Sequence, residues 1–249
     1  MSEALLFDID ELDSIDGLKP KIEVREGNLF QLGRHRLLCG DCTIKDNISL
    51  LMDGKKADMI FTDPPYGINV VSSNGKIGSD VLAKCQVYKA VENDDTIETA
   101  KNFYELIKNT KKIILFGGNY FLSFLPYGYW LVWNKLNGKN NFADGEMAWT
   151  NIKTPLRIFN FLWNGMIRCE KDKRIHPTQK PVSMLSEILQ TFSDENEIIL
   201  DGFLGSGSTL IACEYTNRVC YGMEIEPYYC SVIIERWQKY TNKKAIKIN

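Results

Sequence analysis

Strand-length apolar runs alternate with helix-length amphipathic ones through most of this chain, and that alternation limits what it can become. Residues 36–40 read as a short strand and 44–52 as a helix, followed by a strand over 57–62. In 96–108, Ile97, Ala100, Phe103, Tyr104 and Ile107 recur at the spacing of one helix face. Residues 112–116 form an apolar run ended by Gly117-Gly118, and 129–133 form another. Two more strands fall at 197–200 and 218–223, with 208–215 helical between them, while 181–192 and 227–240 are helices with proline near their starts. A strand that returns to the same sheet through a helix runs parallel to its predecessor. The order therefore predicts an α/β fold with a mostly parallel sheet and helices on both faces.

Two segments interrupt the pattern. Residues 69–95 begin polar and rich in Gly and Ser, and 136–174 read as irregular, with basic residues among Trp149, Phe159, Phe161 and Trp163. Long irregular insertions in such cores are usually functional loops. At the start, 1–20 is an acidic tail holding Glu3, Asp8, Asp10, Glu11, Asp13 and Asp16, so 21–249 is expected to form a single domain. A chain of 249 residues that is 44% hydrophobic can bury one substantial core. Its net charge of -2 excludes nucleic-acid binding by bulk charge, so any such contact must come from a local basic face.

No apolar run is long enough to span a membrane and no secretory start is present, so no membrane partner and a cytoplasmic location are expected. The cysteines Cys39, Cys42, Cys85, Cys169, Cys213, Cys220 and Cys230 are odd in number and irregularly spaced, which suits reduced thiols. With only His35 and His176, and no second pair beside the Cys39/Cys42 C-x-x-C, no metal is expected. The H-x-E and P-C-x-x-C signature of zinc deaminases is absent.

One strand ends in an unusual way. Residues 60–66 read Ile60-Phe61-Thr62-Asp63-Pro64-Pro65-Tyr66. Prolines stop a strand and remove backbone donors, leaving carbonyl acceptors beside a carboxylate and an aromatic ring. Such a pocket suits a flat guest with an amino group to donate, as adenine and cytosine have. A strand-ending turn with a surface tyrosine would read the same way, so other segments must decide.

Residues 198–209 take a strand into Asp201-Gly202-Phe203-Leu204-Gly205-Ser206-Gly207-Ser208-Thr209 and then a helix. Glycines let a ligand approach the backbone, and a helix start offers free N–H groups. The run is neither a P-loop nor G-x-G-x-x-G. Glu224 ends the next strand, about 20 residues on, where an acid can bind both ribose hydroxyls. Glu226 is the nearby competitor, but Glu226-Pro227 looks like a helix start.

Asp63-Pro64-Pro65-Tyr66 resembles the motif of DNA methyltransferases that act on adenine N6 or cytosine N4. Phe203 to Gly207 resembles the F-x-G-x-G loop by which methyltransferases hold the methionine part of S-adenosylmethionine. His176-Pro177-Thr178-Gln179-Lys180-Pro181 and Gly40-Asp41-Cys42 are similar to further segments of the beta class, and the permuted order of the four motifs is that of the beta class. The resemblance covers roughly residues 25–240, where four motifs in one family's order are far more specific than any one.

The resemblance implies a Rossmann-like S-adenosylmethionine-dependent methyltransferase sheet, with the strand bearing Asp63 beside the one bearing Asp201. It implies a cofactor site of Asp41, Cys42, His176, Thr178, Lys180, Asp201, Phe203, Gly205, Ser206, Gly207, Ser208, Thr209 and Glu224. Asp63, Pro64, Pro65 and Tyr66 would then be catalytic, acting on an adenine flipped from double-stranded DNA. Cytosine N4 is the alternative target, and a non-catalytic DNA-binding module on the same fold is the alternative of another class. Methylation of RNA or of a protein glutamine is a further enzyme reading. Lys135, Lys139, Arg157, Arg168, Lys173 and Arg174 would meet DNA phosphates, and Asn137, Asn140 and Asn141 could reach base edges. A homodimer and a separate restriction endonuclease are left open as partners. The family usually has Asp-Pro-Phe where this chain has Asp201-Gly202-Phe203, so a looser cofactor turn is expected.

Overall fold

The structure, a computed structural model, describes residues 20–68, 94–138, 143–162 and 179–249. Among these, β1 (Leu29–Leu32), β2 (His35–Cys39), β3 (Met59–Thr62), β4 (Lys112–Phe116), β5 (Tyr129–Asn134), β6 (Gly145–Thr150), β7 (Arg157–Asn160), β8 (Ile198–Asp201), β9 (Val219–Glu224) and β10 (Ile246–Lys247) form one sheet in the order β10-β1-β2-β9-β8-β3-β4-β6-β5-β7. The helices are α1 (Lys45–Met52), α2 (Glu98–Ile107), α3 (Val182–Phe192), α4 (Ser208–Tyr215) and α5 (Pro227–Thr241). No helix among the described residues is long and apolar enough to cross a membrane.

The five central strands, β2-β9-β8-β3-β4, are parallel. Their residues are buried almost without exception because helices cover both faces. Successive side chains point to opposite faces, and the packing follows that period of two. Phe61, Ile199 and Leu37 pack with α3, α4 and α5, for example with Leu185, Ile211 and Trp237. Their neighbours Ile60, Leu200 and Leu38 pack with Leu51 of α1 and Phe103 of α2. Each such aliphatic or aromatic side chain contributes about 1.5–3 kcal/mol when fully buried.

The segment expected to be irregular over 136–174 is in part regular. β6 pairs antiparallel with β4 and β5, and β7 runs parallel to β5. Gly145 to Thr150 was hidden because its alternation is blurred by Gly145, Glu146 and the buried Ala148-Trp149-Thr150 run. Trp149 is therefore core: its backbone and Cβ lie against Gly118 and its ring against Gly128, where an added Cβ would fall 2.4 Å from the Trp149 Cβ and 2.2 Å from its Nε1 respectively. The hairpin strand β1 and the edge strand β10 were also absent from the sequence-based expectation. The acidic tail and most of the 69–95 segment lie outside the described residues. Where that segment rejoins the body, Asp94 accepts a 3.0 Å hydrogen bond from the Gly67 amide.

Candidate active site

All five parallel strands end on one edge of the sheet, and each ends in a site residue. Across the edge the order is Gly40-Asp41 after β2, Glu224 of β9, Asp201 of β8, Asp63 after β3 and Gly117 after β4. The helices α1 and α2 pack on one face and α3 to α5 on the other. Connections therefore change face between β8 and β3, the topological switch point where open α/β sheets bind ligands. A pocket opens there, of about 1260 Å³ counted out to its mouth. Asp41, Cys42, Asp63, Pro64, Pro65, Tyr66, Lys180, Asp201, Phe203, Gly205, Ser206, Ser208, Thr209 and Glu224 all line it.

On the β8–β9 side, the glycine-rich turn is held from three directions. Asp201 accepts hydrogen bonds from the Thr62 hydroxyl (2.6 Å) and the Phe203 amide (2.9 Å), which ties the end of β8 to the end of β3. Glu224 accepts from the Gly205 amide (2.8 Å) and the Glu226 amide (2.9 Å), fastening the turn to the start of α5. From α5, the buried Arg236 guanidinium donates to the Ser206 carbonyl (3.1 Å) and the Ser208 hydroxyl (3.2 Å). Gly205 and Gly207 have φ of +53° and +85°, the left-handed region that glycine enters without cost. Gly207 caps α4, and a Cβ there would lie 2.9 Å from Ile233. Burial pushes the Asp201 carboxyl up to about 6 and the Glu224 carboxyl up to about 7. On the β2 side, Asp41 accepts from the amide and hydroxyl of Thr43, both at 2.8 Å.

On the β3–β4 side, Asp63 is the centre of a hydrogen-bonded group. Its Oδ1 accepts from the Tyr66 hydroxyl at 2.5 Å, and its Oδ2 accepts from Lys180 Nζ at 2.5 Å. The Tyr66 ring lies against Gly117, where a Cβ would fall 2.1 Å from it, and stacks on Tyr120 with centroids 5.1 Å apart. Lys180 is buried just before α3, with its ammonium 4.7 Å from the centre of the Phe116 ring and 3.2 Å from Glu146 Oε2. Glu146 in turn pairs with Lys135 through its other oxygen at 2.6 Å.

Glu146 reaches the site because β6 is antiparallel to β4, so the start of β6 lies at the edge where the parallel strands end. Burial pushes the Asp63 carboxyl up, against the pull of the Lys180 ammonium. Burial would lower Lys180, but the Asp63 and Glu146 carboxylates outweigh it and raise it. Burial would likewise raise Glu146, but Lys180 and Lys135 hold it down to about 2.

Residues 129–235 match a family model described as DNA methylase, a segment that contains Glu146, Lys180, Asp201 and Glu224 but not Asp63. The type II methyltransferase M.HinfI of Haemophilus influenzae is 27% identical over 246 residues, covering 80% of this chain and 67% of that protein. Over these spans the chain is similar to DNA methyltransferases. Solved structures agree on the fold. The M1.HpyAVI–SAM complex matches with a TM-score of 0.51 at 21% identity, over 80% of this chain and 97% of that one. The cytosine-N4-specific PvuII DNA methyltransferase matches at 0.53 and 12% identity, over 89% and 94%.

The other expected site residues have the following surroundings. Lys180, expected at the cofactor, lines the pocket and donates to Asp63. Lys135, assigned to DNA phosphates, is engaged by Glu146 and lies 4.8 Å from the centre of the Trp133 ring. Trp133 itself is buried and donates to the Phe161 carbonyl. Asn137 donates to the Ala143 carbonyl within its own turn. Arg157 is exposed on β7. His176, Thr178, Lys139, Asn140, Asn141, Arg168, Lys173 and Arg174 lie outside the described residues.

At Gly202 a Cβ would fall 2.7 Å from Phe103 Cζ, so the glycine makes room for that ring. Sequence reasoning missed Glu146 and Arg236 altogether. The only available signal was the presence of charged residues inside otherwise apolar runs. Among the described residues no His/Cys/Asp/Glu group is arranged to hold a metal ion.

Proposed function

We propose that this chain moves a methyl group from S-adenosylmethionine to the N6 amino group of an adenine flipped out of double-stranded DNA. The observation that carries this reading is the juxtaposition of Asp63-Pro64-Pro65-Tyr66 and the Phe203–Gly207 turn across one pocket, on adjacent strands β3 and β8. The residues present fit the cofactor. The turn leaves its backbone open through two glycines, and Glu224 offers a buried carboxylate at the strand end where ribose hydroxyls are bound in such folds. Ile225 and Phe203 supply apolar wall for a flat ring. Bound there, the cofactor supplies an electrophilic methyl on a sulfonium.

The remaining chemistry belongs to the chain. The amino lone pair is delocalised into the base, so the nitrogen is a poor nucleophile. Acceptance of its hydrogens by Asp63 and a carbonyl near Pro64 would favour a pyramidal nitrogen and stabilise the positive charge that develops on it as the carbon–sulfur bond breaks and the carbon–nitrogen bond forms. One of those hydrogens then leaves as a proton along the hydrogen bond to Asp63. Tyr66 and the wall around it orient the ring, and holding the two reactants in line supplies much of the rate. No thiolate nucleophile is called for. The target amino group is otherwise paired, so the base leaves the stack.

The assignment to adenine N6 rests on the resemblance of the tetrapeptide. Incubating the protein with DNA and labelled S-adenosylmethionine, then digesting to nucleosides for mass analysis, tests it. N6-methyladenine is expected. N4-methylcytosine would overturn the choice of base, and no label in DNA would overturn the reading as a whole.

A further inference from the structure

The carboxylate that the proposed reaction needs is already occupied. Tyr66 donates to one oxygen of Asp63 and Lys180 to the other, both at 2.5 Å. An ammonium in that position opposes the very effect asked of Asp63, since it neutralises the field that should stabilise positive charge on the target nitrogen. An incoming amino group must therefore displace it. A buried lysine cannot simply be released, because an unpaired charge out of water is costly.

The site holds a second acceptor for it. Glu146 Oε2 is buried and already ion-paired with Lys180 Nζ at 3.2 Å, longer than the 2.5 Å contact with Asp63 and outside hydrogen-bond geometry, while Glu146 Oε1 is paired with Lys135. The group of Asp63, Glu146, Lys180 and Lys135 balances two carboxylates against two ammoniums. Lys180 can shift its weight from one carboxylate to the other without itself losing a counter-charge and without any proton changing hands, and the Tyr66 hydroxyl and the incoming amino group then hold Asp63 by hydrogen bonds.

We propose that Lys180 is a positioning residue that guards Asp63 in the free protein and is handed to Glu146 when the target amino group arrives. This rests on the methyltransferase reading above. Glu146 thereby acts through Lys180 and touches no reacting atom. In the free state the pair keeps the acceptor pocket satisfied; in the loaded state the Asp63 oxygen that Lys180 leaves, Oδ2, accepts from the base, while Tyr66 stays on Oδ1.

The test is a double-mutant cycle read by single-turnover methyl transfer to DNA, with S-adenosylmethionine affinity and melting measured on each variant. Glu146→Gln keeps the shape but weakens the receiving acceptor, so Lys180 stays on Asp63. The transfer rate is expected to fall about 10–100-fold, the range of a lost charge-assisted hydrogen bond, with cofactor affinity unchanged. Adding Lys180→Met removes the guard, and the double variant is expected to be faster than Glu146→Gln alone. Glu146→Asp retains the charge and is expected to recover part of the rate, and it carries the same cycle if Glu146→Gln does not fold.

A Glu146→Gln protein with the wild-type rate, or a double variant no faster than the single, would overturn the hand-over. If the wild-type protein itself puts no methyl into DNA, the failure belongs to the methyltransferase reading.

Discussion

Gly202 follows Asp201 at the mouth of the cofactor turn, and replacing it with alanine should cost stability for a reason visible in three distances. A Cβ at residue 202 would lie 2.7, 2.9 and 3.1 Å from Cζ, Cε2 and Cε1 of Phe103. Carbon atoms prefer about 3.5–4.0 Å, so the ring would have to retreat by most of an ångström. Phe103 is fully buried on α2, with the Phe203 ring meeting it edge-on at 5.4 Å, so it has nowhere to go. Overpacking of this kind costs about 1–3 kcal/mol. For a domain of this size each kcal/mol lowers the melting temperature by about 2–4 °C.

Gly202→Ala should therefore melt measurably lower, and Gly202→Pro lower still because its ring adds atoms at the same place. The decisive assay is a denaturation cycle with Phe103→Leu. Leucine shortens the side chain that the new Cβ meets, so the Gly202→Ala cost should shrink by about 1 kcal/mol or more in that background. A neutral Gly202→Ala, or strictly additive effects, would refute the packing argument and restore the view that this glycine only loosens the turn.

Further outcomes are expected. Asp63→Ala should reduce methyl transfer by at least about 10²–10³-fold while cofactor affinity, measured by calorimetry, stays within a few-fold. Burial pushes Glu224 up to about 7, and ribose hydroxyl donors favour its ionised form, so cofactor affinity should weaken as pH falls below about 7. A titration of affinity against pH should show this, and Glu224→Gln should flatten it. The stability sign is the opposite. Glu224 and Asp201 bind protons more tightly folded than unfolded, so their contribution declines as pH rises from about 4 to 7, which melting curves across that window would reveal. DNA affinity should fall with salt, and Arg157→Ala should lower the slope of log affinity against log salt by about one if that exposed side chain meets a phosphate.

Much of the site was legible in the chain itself. A strand that stops at Asp63-Pro64-Pro65 can present little other than acceptors, and the glycines of 205 and 207 announce a turn that side chains would obstruct. Those are local consequences of proline, glycine and strand periodicity, and the structure puts them at the ends of β3 and β8, side by side. The pairing of those strands came from the motif order, not from any residue in them.

What stayed hidden was of two kinds. β6 lacked a clean alternation because its first half is only partly covered while Ala148, Trp149 and Thr150 are all buried by neighbours that only the sheet brings to it. The partners of long charged side chains were also hidden, since Lys180 could reach cofactor, DNA or protein with equal ease on paper.

By itself, then, the sequence determined which chemistry the strand ends can offer, because backbone donors, φ freedom and side-chain period are properties of residues and their nearest neighbours. Tertiary structure alone decided that Lys180 lies between Asp63 and Glu146, residues that are 117 and 34 positions away in the chain. It also decided that Gly202 exists for the sake of Phe103. Those choices follow from which side chains are forced into the same water-poor space, and burial there makes every charge find a counter-charge and every ring claim its volume.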